Sequence, residues 1–227
     1  MSASTEVVAP IVAPAVASRR YLRAKLGSFI GLFPLGIWTF AHLWSNLAAF
    51  DGARHWQNAV TIHSNRTGEL LGFSALVLFI LWHTVWGLSR MFEAKPNGLP
   101  ELGNVRWWLQ RLSALGLLGF LGAHIWLAKL QPLLTTGRPE SFHDLAAHMA
   151  HHLPTLTVYI LGIAAVAYHL GNGLWNFTFS FGLVTSQRGL ARMSWVAGVA
   201  VVALLLVGWL AVFALWQAGQ PFPTPLD

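Results

Sequence analysis

Ten histidines and no cysteine set the chemistry open to this 227-residue chain. Without thiolates there is no iron-sulfur ligation, thioether-linked haem, thiolate zinc, disulfide or thiol nucleophile. A metal must therefore be held by histidine or carboxylate. His42, His83, His124 and His169 each lie alone in a separate long apolar stretch. A polar side chain inside hydrocarbon is costly, so each of the four is a candidate functional residue; for any one taken singly, a hydrogen bond between helices explains it as well.

The elements carrying them follow from composition. Mean hydropathy is +0.55, with 55% hydrophobic and 10% charged residues. A soluble domain has about a quarter of its residues charged, so this chain lacks the polar groups to cover a globular surface, and disorder is excluded equally. The formal charge of +6 is carried by short flanks of apolar runs rather than a continuous stripe, which argues against nucleic acid. Apolar runs of roughly 20 residues suit a hydrocarbon core of about 30 Å. Five occur, at about Leu26–Phe50, Glu69–Met91, Trp107–Leu130, Leu156–Phe177 and Ser194–Trp216. The fifth contains neither charge nor histidine.

Arg19, Arg20, Arg23, Lys25, Arg90, Lys95, Arg106, Arg111, Arg188 and Arg192 flank one side of these spans, against Arg54, Arg66, Lys129 and Arg138 on the other. Cytoplasmic flanks collect Lys and Arg. The N-terminus is thus expected in the cytoplasm and the C-terminus outside, in a cytoplasmic (inner) membrane, with the loops at about 51–68 and 131–155 facing outward. Residues 1–18 read as a flexible extension, 19–217 as one five-helix domain and 218–227 as a tail. The extension lacks a basic start, contains Glu6 and is broken by Pro10 and Pro14, which argues against a cleaved signal peptide.

At 1.5 Å per residue, His42 and His124 lie roughly 24 and 26 Å along outward helices, in the outer half; His83 and His169 lie roughly 21 and 20 Å along inward helices, in the inner half. In an up-down-up-down bundle parallel helices are diagonal neighbours, so His42 faces His124 and His83 faces His169 across the core. Facing neutral imidazoles with no carboxylate or thiolate suit bis-histidine haem iron better than zinc or calcium. The expected fold is an all-α membrane protein whose first four helices surround two stacked b-type haems. With both axial positions filled, the expected chemistry is electron transfer and not oxygen binding.

Weaker features point the same way. Gly31 and Gly36 precede His42, and Gly116, Gly119 and Gly122 precede His124, leaving helix faces without bulk; close helix packing accounts for them equally. Haem propionates need donors at the membrane boundary, where Ser28, Trp107, Arg111 and Arg188 lie at the inner side, although both arginines also read as snorkelling topology charges. His143, His148, His151 and His152 fall in the outer segment SFHDLAAHMAHHLP, with a surface zinc site as the minor reading. His55 and His63 read as solvated or interfacial.

The segments RRYLRAKLGSFIGLFPLGIWTFAHLWSN, LWHTVWG, LQRLSALGLLGFLGAHIW and HLGNGLWNFTFSFGLVTSQR resemble the five-helix, two-haem cytochrome b subunits of succinate dehydrogenases and fumarate reductases, over about residues 19–192. In that family one histidine from each of the first four helices ligates haem, first with third and second with fourth. The resemblance implies an anchor for a flavoprotein subunit and an iron-sulfur subunit on the cytoplasmic face, passing electrons through the inner and then the outer haem to a quinone, commonly menaquinone. The chain itself has no dinucleotide fingerprint and no cysteine ligand set, consistent with that division of labour. A quinone reduced near the outer face needs protons; Glu69 is the candidate conduit, with capping of helix two as its alternative, and His63 is a second choice. Two other functions compete: an anchor for a different quinone-linked dehydrogenase, and a transporter with a histidine proton relay. Neither a relay nor an empty structural anchor would show a Soret band.

Overall fold

In a computed structural model, the described residues are 14–60, 66–91, 102–138 and 141–223, and among them the chain is helical, without strands. Span one is compound: α1 (Pro14–Ile30) continues through a π-helical stretch (Gly31–Gly36) into α2 (Ile37–Asn46) and a final 3-10 turn (Leu47–Asp51). Pro34 lies in the π stretch and has no N–H to give, so the ladder of hydrogen bonds must change there. Gly52, at φ 91°, turns the chain into α3 (Ala53–Val60). Span two is α4 (Arg66–Met91). Span three is α5 (Leu102–Ile125), a second π stretch (Trp126–Leu130) and α6 (Gln131–Thr136). A short α7 (Phe142–His151) precedes span four, α8 (Leu153–Ser180), and span five, α9 (Gln187–Gly219).

Among the described residues five helical stretches are thus long and apolar enough to cross a membrane: Tyr21–Asp51, Leu70–Met91, Gly103–Thr136, Leu153–Ser180 and Gln187–Gly219. They coincide with the five apolar runs of the sequence and overshoot most of their ends, because helix continues into the polar flanks once its hydrogen bonds are satisfied. α1 already begins at Pro14, within the expected extension; residues 1–13 lie outside the described part.

α8 packs along both α5 and α9, while α9 also carries α7 and touches α2. One end of the bundle is capped. There Ala49, Trp56, Phe142, Leu145, Ala146, Met149, Tyr159, Ile163, Val212, Ala214 and Leu215 form a buried core. α7 can lie flat against it because its N-terminus is closed by a capping box, Ser141 accepting from the Asp144 N–H and the Asp144 carboxylate accepting from Ser141. Its other side carries polar residues, so the apolar side turns inward; burying a side chain such as Met149 contributes about 1.5 to 3 kcal/mol. At Gly219 a Cβ would collide with the Ala146 backbone, which is how α7 and α9 come so close.

The opposite, open end is looser. No described residue of span two is buried. Span two docks on span one through a small-residue notch: a Cβ on Gly27 would strike the Trp86 ring, and one on Gly31 would strike the His83 ring. Gly27 and Gly31 are four apart, and Trp86 and His83 three apart, so both pairs lie on facing helix sides.

Candidate functional site

The four intramembrane histidines meet as two couples. The ring centres of His42 and His124 are 5.9 Å apart with planes inclined at 64°; those of His83 and His169 are 6.3 Å apart at 83°. The first couple lies toward the capped end, the second toward the open end.

His124 is held by aromatic packing. Phe120 stacks on it at 5.7 Å and Tyr159 meets it edge-on at 5.6 Å. Phe120 can sit there because Gly162 has no side chain; a Cβ at that position would run into the Phe120 ring. The Tyr159 hydroxyl lies 2.9 Å from His124 Nδ1. His42 stacks face to face on Trp38, 4.8 Å away with planes within 7°.

The other couple is held by polar groups. His83 Nδ1 lies 3.1 Å from the Gly27 carbonyl oxygen, which can only accept, so that nitrogen carries the proton and Nε2 keeps its lone pair. Near His169 Nδ1 are Ser113 Oγ at 3.5 Å and the Gln110 amide at 3.2 Å. Gln110 also donates to the His169 carbonyl at 3.2 Å and accepts from buried Asn172 at 2.7 Å. A carbonyl can only accept, so the Gln110 nitrogen keeps its place toward the His169 carbonyl, while Ser113 Oγ gives its proton to the Gln110 carbonyl at 3.0 Å and keeps lone pairs toward His169 Nδ1.

On the same α5 turn, two buried nitrogens have no hydrogen-bond partner, Trp107 Nε1 and Arg111 Nε. The Arg111 guanidinium lies over the Trp107 ring at 3.5 Å and donates through Nη1 to the Trp107 carbonyl at 3.2 Å. A buried donor left unmade costs about 1 to 3 kcal/mol, so this pair is suited to an anionic acceptor. Ser28 is half-buried beside Gly27 in α1, and Arg188 is exposed in the first turn of α9. The Glu69 backbone is in the first turn of α4, but its side chain and all of His63 lie outside the described residues.

The remaining described histidines make local contacts, and His148 and His152 meet edge-on at 6.2 Å. His148 Nδ1 is 2.8 Å from the Asp144 carbonyl, His151 Nε2 is 3.2 Å from the Gly219 carbonyl, and His152 Nδ1 is 2.8 Å from Thr155 Oγ1. His143 packs edge-on to Phe222, and His55 Nδ1 lies 3.1 Å from the Asp51 carbonyl. Among the described residues no group of three or more His, Asp or Glu could share a metal ion.

The glycines divide by role. Gly31 makes room for the His83 imidazole rather than for His42, Gly36 receives Leu170, and Gly116 receives Ala165 at 3.3 Å. Nothing lies within 4 Å of a Cβ at Gly119 or Gly122. Sequence reasoning passed over Gln110, Ser113, Asn172 and Tyr159. The first three are polar residues inside spans, and the cost of burying polarity in hydrocarbon, applied to them as it was to histidine, singles them out.

The model of the succinate dehydrogenase/fumarate reductase transmembrane subunit family matches residues 95–208, which include His124 and His169. The succinate dehydrogenase cytochrome b558 subunit of Bacillus subtilis (strain 168) is 28% identical over 201 residues, covering 87% of this chain and 98% of that one. With five apolar helices and four intramembrane histidines already in place, the chain belongs to the succinate dehydrogenase/fumarate reductase transmembrane subunit family.

Proposed function

We propose that this membrane cytochrome b subunit holds two b-type haems, one between His42 and His124 and one between His83 and His169. The separation of the rings carries the reading. Two imidazoles that would share one metal ion, each through a nitrogen–metal bond of about 2.0 to 2.1 Å, need ring centres roughly 6 Å apart. The two couples, at 5.9 and 6.3 Å, are close to that spacing. When bound, the haems would supply one-electron redox chemistry, the inner held by His83 and His169 at the open end and the outer by His42 and His124 at the capped end, for the passage of electrons from the iron-sulfur subunit to a membrane quinone, menaquinone on the family resemblance.

The chain's own residues do the holding. Gly27 fixes the His83 tautomer through its carbonyl, and Gln110, Ser113 and Asn172 orient His169. Trp107 Nε1 and Arg111 Nε are the donors for the propionates at the open end, with Ser28 and Arg188 at the same boundary. The charge bias of the flanks supports an open end in the cytoplasm, where the iron-sulfur and flavoprotein subunits would dock, and a capped end outside, in contact with lipid and quinone. Glu69, in the first turn of α4 at the outer side, is the proton donor proposed for the quinone. Succinate itself is handled by the partner subunits.

A visible-range redox titration of the purified complex, with haem quantified per copy of this chain, tests the reading. The expected result is two low-spin components per polypeptide. A colourless subunit, or one haem at full loading, refutes it.

A further inference from the structure

The two imidazole couples differ in what lies against the Nδ1 nitrogens of their rings. His83 uses a main-chain carbonyl and His169 lies among amide and hydroxyl groups, whereas His124 Nδ1 meets a phenol, Tyr159, at 2.9 Å. Tyr159 is buried in the capped core, edge-on to Phe120 at 5.4 Å, so its ring is fixed from several sides. A histidine that ligates a metal through Nε2 carries its proton on Nδ1 and gives it to a neighbouring acceptor; that acceptor fixes the ring and raises its basicity. At His124 the Tyr159 oxygen occupies the acceptor position.

We propose that Tyr159 is the positioning residue for the His42/His124 haem, accepting from His124 Nδ1–H and thereby setting the redox potential of that group alone. This rests on the haem assignment above. A more basic axial imidazole favours the ferric over the ferrous state, so the Tyr159 hydroxyl lowers the potential and its removal raises it. A hydrogen bond of ordinary net strength changes such an equilibrium about three- to tenfold, which at 59 mV per decade for one electron is about 30 to 60 mV.

The test is a redox titration of the whole complex carrying Tyr159→Phe, beside wild type and His42→Ala, which identifies the capped-end component by its loss. Tyr159→Phe is expected to keep two haems per chain and to raise the potential of the component missing in His42→Ala, leaving the other where it was. Substituting 3-fluorotyrosine at position 159 keeps ring and hydroxyl but weakens the oxygen as an acceptor. It should give a smaller shift of the same sign, and it serves where the phenylalanine variant fails to assemble. Both haems retained with neither potential moved, or both moved equally, overturns the role of Tyr159 and leaves the haem assignment standing. Fewer than two haems in the wild-type complex removes the assignment itself and the proposal with it.

Discussion

The two histidine couples occupy one bundle yet sit in opposite surroundings. Around His42 and His124 are Trp38, Phe120 and Tyr159, with a single hydroxyl at one ring nitrogen. Around His83 and His169 are a carbonyl, a serine and two amides that hydrogen-bond to one another, with the Trp86 ring beside His83 at 5.5 Å. The first couple is positioned by shape, since aromatic rings wedged between helices leave an imidazole little freedom to turn. The second is positioned by hydrogen bonds, which work inside hydrocarbon only while every member has a partner. The same residue type can therefore be held in the same pairing by two unlike devices, and the devices should fail differently.

The coarsest way to break the comparison is to remove a ring. His42→Ala and His83→Ala should each abolish one low-spin component and spare the other, read by spectroscopic titration; loss of the same component by both would dissolve the pairing. A smaller effect is expected from Gln110→Leu, which leaves the buried Asn172 amide without its acceptor. A stranded buried donor costs about 1 to 3 kcal/mol, so the melting temperature of the detergent-solubilised complex should fall and the His83/His169 component should shift. Equal movement of both components would show that the polar network is not private to one couple. Smallest of all should be Gly162→Ala, whose methyl group pushes on Phe120. Overpacking costs about 1 to 3 kcal/mol, and the lower figure is expected because Phe120 is half-buried and able to tilt. The spectrum of the His42/His124 component should change, whereas Gly198→Ala, with nothing within 4 Å of its Cβ, should change neither stability nor spectrum.

Much of the architecture was legible in the residues. Five apolar runs became five helical spans because a chain in hydrocarbon must satisfy its backbone internally, which leaves the helix as the available form for runs of that length. The facing of the histidines was legible for a related reason: rise per residue converts position along a span into depth, and depth with direction decides which rings can meet. The capping helix α7 was less visible, since its apolar residues are interspersed in the sequence with three histidines, followed by His152, that read as a polar loop. The π stretches were hidden too, although Pro34 and Pro132 mark where main-chain donors are missing.

What the sequence settled by itself was everything fixed by length, periodicity and the cost of polarity in lipid: membrane class, number of spans, and one histidine at a chosen depth in each of four. What only the tertiary structure decided was lateral. That Gly31 opposes His83, that Gly162 admits Phe120 and that Tyr159 reaches His124 depend on how the helices are rotated and how closely they approach. Those quantities come from side chains interlocking across helices far apart in the chain, and a linear pattern carries depth but not the angle at which one helix presents itself to another.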